Sequence, residues 1–203
     1  MEERLGDSKL EGRIVGAVMA AASVLTVVFM AHHPTSRDQV ALAPPVHGAL
    51  MILILIAFTG YLRFCMLRGT KWLAILAGLV AFGVGTIANL LAATINGFAV
   101  PALVERNASD DLYLLSWELN QALAYEGAYA VSAAFILWGA DMLARERGLG
   151  RLIGAAGIIA GTAPAFLLAT GAIDMHVAGA LIVYSTQAAF GVIISLWMMR
   201  GSA

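Results

Sequence analysis

Charge is scarce in this chain. Asp, Glu, Lys and Arg make up 12% of its 203 residues, about half the roughly 25% of an ordinary soluble domain. Twelve basic and thirteen acidic residues leave a formal net charge of -1, so no nucleic acid is expected as a partner. A single cysteine, Cys65, excludes an internal disulfide and any CxxC motif. Its neighbours Arg63, Arg68 and Lys71 fit a reduced, cytoplasmic setting. A phosphate-binding Gly-rich loop, a dinucleotide fingerprint, a nucleophile elbow and an HExxH pair are all missing. The apolar runs do not alternate with polar residues, which excludes a transmembrane β-barrel.

Long apolar runs are what the sequence has instead. Hydrophobic residues make up 61% of it and its mean hydropathy is +0.85. Six segments reach the roughly 20 residues that cross a bilayer: 14–32, 46–64, 72–96, 113–141, 151–173 and 176–198. Backbone in lipid must satisfy its own hydrogen bonds, so each is a helix. The expected fold is an all-α integral membrane protein, one transmembrane domain over 1–203, with six helices bundled among membrane lipids. Phe29 stands where a signal-peptidase site wants a small residue, so a retained first span is expected.

The basic residues sort by side. Arg4, Lys9, Arg13, Arg63, Arg68, Lys71, Arg145, Arg147, Arg151 and Arg200 fall in the termini and inner connections, and only Arg37 and Arg106 fall outside. The positive-inside rule then puts both termini in the cytoplasm. In a bacterial inner membrane the opposite face is periplasmic. The longest outer connection, 97–112, is expected to lie across the outer mouth of the bundle. Gly157 and Gly161 form a GxxxG element that suits close helix packing, within the bundle or in a homodimer, and Pro164 is expected to kink that helix.

Depth can be counted at about 1.5 Å per residue from the inner anchors. Arg13 to His32 spans about 28 Å, and Arg63 back to His47 about 24 Å. All four histidines, His32, His33, His47 and His176, therefore fall at or near the outer face, as does Asp174. Glu126 lies inside the fourth span, about 22 Å from its inner end, and an ionisable group there normally faces the bundle interior. With Glu118, Gln121, Tyr125, Tyr129 and Ser132 it makes a polar stripe. Thr86, Asn89, Thr94 and Asn96 on the third span, and Tyr184, Ser185, Thr186 and Gln187 on the sixth, could join it around an outward-open cavity.

Imidazoles and carboxylates from several helices suit a metal ion: zinc, copper or non-haem iron. The expected ligands are His32, His33, His47, His176, Glu126 and Asp174, with Glu126 and Glu118 as acid–base groups acting on an apolar small-molecule substrate. Haem b is the alternative cofactor, with His47 and His176 as axial partners. A proton- or cation-coupled small transporter built on Glu126 is the second functional alternative. An accessory subunit of a larger membrane complex is the third.

Overall fold

A computed structural model of the chain describes residues 2–34 and 36–200. Every regular element among them is helical. Six helices are long and apolar enough to cross a membrane: α1 (Glu2–Ala31), α2 (Ala43–Arg68), α3 (Leu73–Thr94), α5 (Asp110–Arg145), α6 (Leu149–Ala169) and α7 (Val177–Met199). The short α4 (Val100–Glu105) continues α3 through a π-helical segment, Ile95–Ala99, so the apolar rod runs unbroken from Leu73 to Glu105. The expected long connection over the outer mouth is therefore a four-residue turn, 106–109. The apolar pattern does not stop at Asn96, and Pro101 follows directly on the π segment, at the start of α4.

The spanning helices close into a ring. Each packs on its two neighbours in the order α1, α2, α3, α5, α6, α7 and back to α1. Small residues make these approaches possible. A Cβ at Gly139 would sit 2.5 Å from the Gly154 carbonyl, and one at Gly154 would sit 2.7 Å from the Gly139 carbonyl. Gly157 and Gly161 are spent the same way. Added carbons there would strike Phe190 of α7 and the Ser132 carbonyl of α5, so within the chain these two glycines seat α6 against α7 and α5. Pro164 is fully buried inside the continuous α6.

Both ends of the ring can be read from its pairs. Gly16 near the start of α1 packs on Ser195 and Met199 at the end of α7, and Glu11 pairs with Arg63 at 2.9 Å. The described start and end of the chain thus lie at one end of the bundle, with most of the basic residues. The side chains of Arg4, Lys9, Arg37 and Asp38 lie outside the described set.

That end is shut. Phe64, Trp138 and Trp197 are buried and pack edge to face, with centroids 5.7 and 5.8 Å apart. Beyond them Arg68 is held by Asp141 through Nε at 3.2 Å and by a charged contact to Glu146, and Arg145 reaches the other Asp141 oxygen at 2.8 Å. Arg68 and Asp141 side chains are only 6% and 4% exposed. Arg68 and Arg145, counted by sequence among the basic residues of the inner side, close an ion network around the buried Asp141.

Candidate functional site

The opposite end carries the histidines. α1 stops at Ala31, ahead of Pro34, which cannot continue it. His33 follows in the turn and donates its Nδ1–H to the Pro34 carbonyl at 2.9 Å. His47 lies in the second turn of α2 and donates Nδ1–H to the Ala43 carbonyl at 2.8 Å. Carbonyl oxygens only accept, so both rings are fixed in the same tautomer. Their ε nitrogens meet at 3.0 Å, the rings edge to face with centroids 4.7 Å apart.

Two neutral rings so arranged present two lone pairs to each other. The contact becomes a hydrogen bond only when one proton is placed between them. A second proton would set two like charges side by side. Burial pushes His33 below its ordinary value near 6.5, opposed by its bond to Pro34, so near neutral pH this ring stays uncharged. The π segment is what admits His47: a Cβ on Gly97 would fall 2.5 Å from the His47 Cβ. π-bulges recur at functional sites because they re-aim the side chains around them.

Beneath the pair lies a cavity of about 180 Å³ inside the ring. It comes to the surface beside the exposed Trp117, with Asn96, Asn120 and Gln121 near that end. Midway, Tyr184 donates to the Asn89 side-chain oxygen at 2.9 Å. The floor is aromatic, formed by Tyr61, Phe82 and Phe135, with Tyr61 centroids 4.5 and 5.5 Å from the other two. Among the described residues, and apart from tyrosines, His33 and His47 are its only titratable lining side chains.

The other expected site residues lie elsewhere. His32 is exposed and bonds the Val28 carbonyl of its own helix at 2.8 Å. His176 and Asp174 are exposed side chains, 3.8 Å apart, with His176 against Trp117 at a centroid distance of 5.0 Å. Glu118 and Glu126 are exposed on α5 and do not line the cavity. Among the described residues no group of three or more His, Cys, Asp or Glu is placed to hold a metal ion. The expected axial pair does not share a gap either, because His47 has both nitrogens engaged and His176 is not part of the cavity wall.

The rotation of α5 explains the miss. Gly127 packs on Asn89, and Val131 packs on Gly85, which fixes the face toward α3. Glu126 is two residues from both Ala124 and Ala128, which are buried, or about 200° around the helix. The polar face read from sequence is partly right: Gln121, Asn89, Asn96, Tyr184 and Gln187 do line the cavity. Tyr61 and Asn120 were overlooked because a lone tyrosine or amide in an apolar run carries no pattern.

No family model matches the chain, and searches of curated proteins and of solved structures return no match.

Proposed function

We propose that the protein is a small proton-coupled carrier of an apolar solute, embedded in a bacterial inner membrane with its histidine end periplasmic and both termini cytoplasmic. The basic residues at the closed end support that orientation. The observation that carries the reading is the His33–His47 pair, whose facing ε nitrogens can hold one proton between them, set at the mouth of a cavity shut at the far end. The cavity is open at the histidine end and largely apolar along its walls, with Leu50, Ile54, Phe82 and Phe135 among them, which suits an apolar occupant. Uptake of one proton between His33 and His47 would tie α1 to α2 at the mouth, coupling protonation to access.

Nitrogen NMR of ¹⁵N-histidine-labelled protein tests the pair. His33 and His47 are expected to titrate together, taking up one proton between them on acidification from neutral pH. In His33→Gln the remaining His47 should titrate alone. Independent, complete protonation of both rings in the unaltered protein would end the proposal.

A metal reading rests on a narrower observation. Both δ N–H groups are tied to carbonyls and both ε nitrogens aim at one point, which is how metal-bound histidines are usually oriented. Met30 and Met175 line the same cavity, and thioethers select copper(I) over zinc or iron. Copper at one equivalent in protein purified without chelator, lost in His47→Ala, would put this reading first.

A further inference from the structure

The cavity floor holds two donors with nothing to donate to. The Tyr61 hydroxyl is buried without a hydrogen-bond partner, and so is Nε2 of Gln187. Tyr61 is 3% exposed, and both residues line the cavity. They belong to one region. A Cβ on Gly191 would lie 3.4 Å from the Tyr61 hydroxyl and 2.5 Å from Ser23 Oγ, and Gln187 is one helical turn from Gly191. Ser23 Oγ already gives its hydrogen to the Met19 carbonyl at 2.9 Å, and Tyr61 makes no bond to it.

An orphaned buried donor costs more than its hydrogen bond would gain, and Phe in place of Tyr61 would avoid the cost while filling the same aromatic box. Around the Tyr61 ring stand Phe82, Phe135 and the indole of Trp138, the last stacked with its centroid 5.1 Å from that of Tyr61. Apolar walls with two donors at the floor describe a site for a flat, hydrophobic body ending in an acceptor oxygen. An engineered apolar cavity of about 150 Å³ takes benzene, so the size suits a single substituted ring.

We infer that the cavity binds a compact, ring-sized molecule bearing a carbonyl oxygen, a small ketone or quinone, with that oxygen accepting hydrogen bonds from Tyr61 and Gln187. This rests on the cavity being a solute site, as proposed above, and it names the chemical class of the solute. The carbonyl end goes in first. The other end of the ring then faces the Asn89–Tyr184 pair and, beyond it, the histidines.

Two probes of matched shape separate the contributions: duroquinone, and durene, which has the same methylated ring without oxygens. Tritiated duroquinone is titrated onto the full-length protein in lipid nanodiscs, with empty nanodiscs as background, and displaced by either unlabelled compound. Saturable binding at one site is expected, with durene competing about five- to ten-fold more weakly than duroquinone, the worth of one or two net hydrogen bonds. Tyr61→Phe should weaken duroquinone by about two- to five-fold, the worth of one of the two hydrogen bonds, and leave durene unchanged. Ala57→Leu, which fills the cavity without touching the donors, should weaken both.

Equal competition by the two compounds, or an unaltered duroquinone affinity in Tyr61→Phe, would overturn the carbonyl assignment alone. In that case water satisfies the floor donors and the cavity still takes apolar rings. Absence of saturable binding by either compound would overturn the solute reading along with it. Tyr61→Phe removes one oxygen from a filled position, and an unchanged gel-filtration profile verifies its fold.

Discussion

Gly97 lies against His47 so closely that a single added carbon would stand 2.5 Å from the His47 Cβ and 3.1 Å from its Cγ. The imidazole keeps its place under the π segment because residue 97 has no side chain. Gly97→Ala should push His47 away from His33. The expected cost is about 1–3 kcal/mol, typical of overpacking a filled site. Thermal unfolding would register that loss, and ¹⁵N-histidine spectra would show the two rings titrating separately. A spectrum identical to that of the unaltered protein would mean the ring is not seated by this contact.

Acidity should weaken the fold over a defined range. His33 titrates near 6.5 in the unfolded chain and lower in the folded one, because burial disfavours its charged form. Between those two values the unfolded chain holds a proton that the folded chain lacks. The stability His33 contributes is therefore complete above about 6.5 and drains away as the pH falls below it. Melting temperature against pH in detergent should slope downward on the acid side of that point, and the slope should flatten in His33→Gln. A melting temperature that climbs on acidification would contradict the sign.

Arg68 is the keystone of the closed end. Arg68→Met leaves Asp141 buried with only Arg145 beside it, and stranding a buried charge costs roughly 3–5 kcal/mol. Replacing both partners, Arg68→Met with Asp141→Leu, should recover much of that loss, since an apolar pair avoids the desolvation that the ions suffer. Denaturation of the three proteins side by side tests the pattern. If the double variant is no better than the single, the two residues do not act as a pair.

Glu126→Gln should change little. Its carboxylate is exposed on α5 and lines no part of the cavity, so proton uptake and duroquinone affinity should stay within about two-fold, the range of an uninvolved surface substitution. A ten-fold loss of either would return Glu126 to the mechanism.

The apolar runs gave away all six spans to within a few residues at most ends, because the roughly 20-residue length requirement is severe. Helix rotation was harder to read. In lipid the exterior is as apolar as the interior, so hydrophobic periodicity no longer says which side faces in. The small residues decide it instead, as Gly85, Gly127 and Asn89 do for α5. Glu126 looked like a buried acid on charge alone, and its position two residues from Ala124 was the better guide. His33 and His47 were legible as residues at one depth, but not as a pair, since their meeting depends on the turn after α1 and on the π segment. The Arg68–Asp141 network was hidden because each residue sits at the edge of a span, where a charge usually needs no partner.

The stretch Ile95–Ala99 packs more residues into its turn than an α-helix does. The wider turn already absorbs about one residue, so removing one of them would leave an ordinary helix with Pro101 and its neighbours near their present bearing. What would change is the backbone over His47, which would no longer make room for the ring. A form of this chain shorter by one residue there should therefore keep α4 in place and lose the His33–His47 contact.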